Sequence, residues 1–227
     1  FRAVPGAYVE QTWSRVEQGL SSWAQQWRVT AQDACVDATV TRTRTNDTYA
    51  ANLRCLNDQR RTFTGLVQLL MQGGPQVPRR AVPAVIRLPR PADCLDDQVL
   101  RAYAQEGGAS QIGDVTLARD RLALAGNLVA IGNYKEAVPA ADEALAAAQR
   151  SGLTSLQADA LVQVGELASA TGDYEKAVGQ LIAGMTLGAT VGRDQLEADV
   201  ALRLTRLEGL KLGHREAARV WAELARI

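Results

Sequence analysis

Histidine, phenylalanine and methionine are almost missing from this 227-residue chain, which has one His, two Phe and two Met. The single histidine, His214, has no cysteine near it, so no Cys/His set with zinc-ligand spacing exists and no metal site is expected. No serine or cysteine has a histidine placed beside it by a motif. Paired carboxylates occur only on segments that read as helix surface, so no active site is visible and no cofactor is expected. Net charge is absent as well: 25 basic residues balance 25 acidic ones, and no global field recruits nucleic acid or an anionic membrane. Every apolar run is short and broken by charge, which argues against a transmembrane span. Phe1 is neither a start methionine nor part of a signal-like segment, so the chain reads as a fragment, and membrane attachment is expected only through a span outside it.

A hydrophobic fraction of 47% is ample for a buried core. From Tyr8 onward, Trp13, Val16, Leu20, Trp23, Trp27 and Ala34 recur at steps of three and four, with Thr30 skipped, as one stripe of a long amphipathic helix. The tryptophans are read as a core seam in preference to a ligand cage. Thr43-Arg44-Thr45-Asn46-Asp47 supplies turn and N-cap residues, and Ala50, Leu53, Leu56, Phe63, Leu66, Val67, Leu70 and Met71 mark a second helix ended by Gly73-Gly74-Pro75. Two such helices form an antiparallel hairpin. Arg79 to Leu88 reads as a third helix stopped by Leu88-Pro89-Arg90-Pro91, and Asp93 as the cap of a fourth from Cys94 to Ala104.

The three cysteines allow one disulfide with one thiol left over. Cys35 and Cys55 lie ten residues on either side of Thr45, level across the hairpin, and are the pair expected to bridge. A chain returning from Pro78 can instead bring Cys94 to the level of Cys55, which is a rival pairing, and two buried thiols is the third reading. A disulfide would place the segment outside the cytoplasm.

Gly172-Asp173-Tyr174-Glu175-Lys176-Ala177 closely copies Gly132-Asn133-Tyr134-Lys135-Glu136-Ala137, forty residues earlier, and Gly213-His214-Arg215-Glu216-Ala217-Ala218 is a degraded third copy forty-one residues later. Ala118, Ala158 and Ala198 keep the same period, as do Leu124, Val164 and Leu204. Self-similarity at this spacing marks a helical solenoid whose last copy is an end cap. Gly107-Gly108-Ala109-Ser110 is the candidate linker, dividing a helical segment at 1–106 from the repeats at 111–227.

The small-to-aromatic corner with its following alanine resembles the inter-helix turn of a tetratricopeptide repeat. That resemblance implies an all-α fold, a helical hairpin and short helices followed by a right-handed α-solenoid, and a protein or peptide held in a groove lined by the first helix of each pair. On the forty-residue register the groove takes Arg119, Leu122, Gly126 and Val129, then Asp159, Val162, Glu166 and Ser169, then Asp199, Leu202 and Arg206. The groove would be mixed in charge. It lacks the lysine and asparagine set that grips a C-terminal carboxylate, so a segment carrying both charges with apolar residues between them suits it better.

Trp23 and Trp27, Cys35, Arg54-Cys55-Leu56 with Arg60-Arg61, Leu66-Val67, the Ala81 to Leu88 helix and Cys94-Leu95-Asp96 together resemble another pattern. It is similar to the region after the kinase domain in large bacterial serine/threonine protein kinases, where such a segment precedes tetratricopeptide repeats. The resemblance implies a non-catalytic sensor or docking module, often beyond a membrane span and therefore extracytoplasmic. The chain itself has no glycine-rich loop, His-Arg-Asp or Asp-Phe-Gly motif, so phosphotransfer belongs to a part not included in it. The alternative is self-association, a homodimer that brings kinase domains together. A hydrolase without a recognisable motif is a remote third reading. Arg42, Arg44, Arg54, Arg60 and Arg61 form a basic cluster read as a solvated face, and Asn46-Asp47-Thr48 fits the glycan-acceptor pattern but reads as a turn.

Overall fold

A computed structural model describes residues 7–74, 77–106 and 111–226. Among the described residues there are ten α-helices and no strands. They divide into two compact units, Phe1–Gly107 with Ala123–Asn133, and Gly108–Leu122 with Tyr134–Ile227. The linker expected at Gly107 to Ser110 lies outside the described residues.

The first unit opens with α1 (Ala7–Thr39) and α2 (Asn46–Gln72). Val16, Trp23 and Ala34 of the α1 stripe are buried, and the skipped Thr30 is buried with them, its hydroxyl donating to the Gln26 carbonyl. The stripe is thus continuous. Thr45 caps α2 by accepting from the Thr48 N–H, which satisfies one of the helix's unpaired first-turn donors. Gly73, at φ 74°, ends it. Next come α3 (Val77–Ile86), a 3-10 turn (Pro91–Leu95) and α4 (Asp97–Glu106). The 3-10 turn replaces the first residues of the helix expected from Cys94.

The hairpin corrects the expected disulfide. Cys55 is bonded to Cys94, with Cα atoms 5.6 Å apart, and Cys35 is a free thiol. The expectation centred the turn on Thr45, but α1 stops at Thr39 and α2 starts at Asn46, so the tip is centred two to three residues earlier. Cys35 therefore lies opposite Tyr49, six residues before Cys55 on α2. The thiol beside the Tyr49 phenol raises the tyrosine pKa above its ordinary value. Cys55 faces the other way, in a buried cluster with Ala51, Leu56, Cys94 and Leu100.

The strap from Pro89 to Leu95 has few carbonyl partners of its own, and side chains of the hairpin supply them. Trp23 Nε1 donates to the Pro89 carbonyl at 2.7 Å, Gln59 Nε2 to Arg90 at 3.0 Å, Asn52 Nδ2 to Cys94 at 2.5 Å and an Arg44 Nη to Leu95 at 2.7 Å. Asn52 is fully buried, so without such an acceptor its amide would be strongly destabilising. Trp23 also stacks on Phe63, ring centroids 4.5 Å apart. The later part of α5 (Ile112–Ile131) belongs to this unit, where Asn127 donates to the Thr62 carbonyl at 2.8 Å.

The second unit holds the start of α5 and then α6 (Tyr134–Ser151), α7 (Thr154–Thr171), α8 (Tyr174–Thr190), α9 (Asp194–Leu207), a π turn (Glu208–Leu212) and α10 (Arg215–Leu224). From α6 on, each helix packs on the next. Alanines fill one layer between α5, α6 and α7, with Ala118, Ala147, Ala148 and Ala160 all buried. Val162, Leu181, Val200 and Leu204 fill another, between α7, α8 and α9. Two glycines set the close crossing of α7 and α8. A Cβ on Gly184 would stand 2.8 Å from a Val162 methyl and 3.0 Å from the Ala158 carbonyl, and one on Gly165 would meet Leu181 at 2.9 Å.

The repeated glycines share one geometry. Gly132, Gly172 and Gly213 have φ of 83°, 92° and 75°, left-handed values that cost other residues energy. After each, the next N–H reaches back to the helix it leaves: Asn133 to Leu128, Asp173 to Ala168 and His214 to Glu208. The last bond is one residue longer, and the cause is the π turn. Helix α7 has 18 residues before its glycine, whereas α9 and the π turn contribute 14 and 5 before theirs. A π turn is how a helix takes in a single extra residue, and this one explains the forty-first residue in the last period.

Candidate functional site

The forty-residue register brings two of the expected groove residues onto each other. Arg119 of α5, 5% exposed, donates to Asp159 of α7 at 3.1 Å. The other Asp159 oxygen accepts from Arg193, just before α9, and Arg193 also donates to the Ser155 carbonyl at 3.2 Å. One carboxylate thus ties α5, α7 and the entry to α9. A buried guanidinium is tolerable only with such a partner, so this network holds the helices together. Glu166 of α7 pairs in the same way with Arg203 of α9, nearer to solvent.

Reading the sequence missed Arg193 and Arg203. The signal for both was a carboxylate, Asp159 or Glu166, set among apolar helix positions that require a cation nearby.

The other expected groove residues divide sharply. Val162 is 8% exposed and belongs to the core between α7, α8 and α9. Leu122 packs against the alanine layer, and Ser169 is half-buried in the last turn of α7. Gly126 and Val129 are grouped with the first unit, and the rest with the second. Asp199, Leu202 and Arg206 are exposed on α9. Spaced by three and four residues, they form a single stripe in which an apolar side chain, 55% exposed, is flanked by an anion and a cation. Neither Asp199 nor Arg206 has an ion-pair partner among the described residues.

The hairpin arginines are largely turned to structural use. Arg44 pairs with Asp97 at 2.7 Å, Arg54 donates to the Tyr103 carbonyl, and Arg60 lies over the Trp27 ring. Arg42 is exposed at the tip with φ 55°. His214 holds the largely buried Glu208 at 2.8 Å. No group of three or more His, Cys, Asp or Glu side chains among the described residues is placed to hold a metal ion, and no described helix is long and apolar enough to cross a membrane.

The chain was compared with protein-family models, curated proteins and solved structures, and none of them matches it.

Proposed function

We propose that the second unit is a tetratricopeptide-like, right-handed α-solenoid that binds a protein or peptide without catalysis. The observation that carries this reading is the recurrence of helix, left-handed glycine corner and helix at the sequence period, with a reach-back hydrogen bond at each corner that is one residue longer at the last. The groove positions of the register are largely covered on α5 and α7, where Arg119 and Val162 are buried, and open on α9. On α9 they present Asp199, Leu202 and Arg206, a charged and apolar mixture suited to a segment carrying both signs. The first unit, with its long hairpin and clamped strap, supports reading the chain as the sensory or docking part of a bacterial receptor-type serine/threonine kinase. The buried Cys55–Cys94 bond favours a place outside the cytoplasm.

Panning a peptide library over the immobilised chain tests the binding function. Peptides bearing both charges should be enriched, and Leu202→Asp should abolish their retention. No enrichment, or enrichment indifferent to Leu202, overturns it. The parentage is tested by the flanking sequence, where a kinase domain followed by a membrane span is expected upstream.

A further inference from the structure

The exposed stripe on α9 is complementary to itself. Asp199 and Arg206 are seven residues apart, about 10 Å along a helix axis, too far to pair with each other. Their nearer charged neighbour Arg203 is already engaged with Glu166. Between them stands Leu202, a leucine that its own chain leaves 55% exposed.

A two-fold axis converts this arrangement into a closed set. When a second α9 is laid antiparallel across the first, with the axis between Leu202 and Arg203, Asp199 of each copy meets Arg206 of the other. The two Leu202 side chains then meet beside the axis. An isologous contact requires that each residue find its complement in the same surface on the partner, and this stripe supplies that. The anion, the leucine and the cation are consecutive along the face, so the antiparallel register is the one that satisfies both charges. A parallel register would set Asp199 on Asp199 and Arg206 on Arg206.

We propose that the partner of this face is a second copy of the same chain, paired antiparallel through α9. This rests on reading the α9 face as a binding surface and names what binds there. The apolar centre is small, so the dimer is weak and the two crossed ion pairs set its orientation more than its affinity. Rim charges of this kind are screened by salt, and the dimer weakens as ionic strength rises.

Sedimentation velocity of the chain across a concentration series, at low and high salt, provides the test. The wild type should dimerise. Asp199→Arg alone and Arg206→Asp alone each turn two attractions per dimer into two repulsions and should weaken association about tenfold or more. The double variant D199R/R206D restores both pairs with their signs exchanged and should recover association to within about threefold of the wild type. All three residues are exposed, so the helical circular dichroism of every variant should match the wild type. A chain that stays monomeric at every concentration overturns the dimer, but peptide retention in the panning experiment remains a separate readout of the binding surface. A dimer indifferent to either single reversal, or one not recovered in the double, overturns the α9 pairing.

Discussion

Arg119 and Asp159 are forty residues apart in sequence, one full repeat, and 3.1 Å apart in space. The same period that copies the helix pairs also sets a cation on one repeat against an anion on the next. With Arg193 on its other oxygen, Asp159 is the shared counter-ion of two guanidinium groups.

Asp159→Asn should therefore be costly. It removes the carboxylate charge that faces the buried Arg119, and a loss of about 2–4 kcal/mol is expected, somewhat below the range for a fully buried pair because Asp159 and Arg193 keep some solvent contact. Arg203→Ala, which removes a more exposed pair with Glu166, should cost under about 1 kcal/mol. Urea denaturation of the two variants measures both. Equal losses would show that the Asp159 network carries no special share of the stability.

The cysteine assignment gives a clean chemical readout. Thiol titration of the denatured, unreduced chain should find one free thiol, and peptide mapping should place it at Cys35. Cys35→Ser should leave the cross-link intact. Cys94→Ser should remove it and cost about 4 kcal/mol, the loop-entropy value for a bridge spanning 39 residues. A Cys35 to Cys55 peptide in the map would overturn the Cys55–Cys94 pairing.

Glycine substitutions should separate by what surrounds them. Gly184→Ala places a methyl against Val162 and the Ala158 carbonyl and should destabilise the chain by about 1–3 kcal/mol. Gly179, on the same helix α8, has nothing within 4 Å of a Cβ, and Gly179→Ala should be neutral or stabilising by up to about 1 kcal/mol. Thermal melts followed by circular dichroism report both.

Tyr49 should resist ionisation. The neighbouring Cys35 and, after it, desolvation raise its pKa above the ordinary tyrosine value. Because the folded value lies above the unfolded one, the contribution to stability is complete below the ordinary tyrosine range and is lost as pH rises through the folded value. Cys35→Ala should move the Tyr49 ionisation back down, measured by ultraviolet difference titration. An unchanged titration in that variant would remove Cys35 as the cause.

Helices were legible in the sequence wherever one apolar stripe recurred, as from Trp13 to Ala34, because burial on one face needs that period and little else. The disulfide was not legible. Its geometry hung on where α1 stops, and a shift of two to three residues at the tip moves Cys35 from the level of Cys55 to that of Tyr49. The strap was equally hidden. Asn52 and Gln59 read as ordinary polar positions of a helix, and only the return of Arg90 and Cys94 beside them shows why they are buried.

At the expected groove, sequence spacing identified residues that share a register but not their exposure. Arg119 and Val162 are buried, whereas Asp199 and Leu202 are exposed. What separates them is the neighbouring helix that packs over each position, and periodicity says nothing of that.

The surplus residue before Gly213 has a consequence for how the chain can change length. It is absorbed inside Glu208–Leu212 and does not propagate: the glycine after it adopts the same left-handed conformation as its two predecessors, and α10 leaves from it as α6 and α8 leave from theirs. Any count that insists on a fixed interval slips at this point, while the backbone does not. Growth by one residue is quarantined within a single turn, leaving the corner beyond it unchanged.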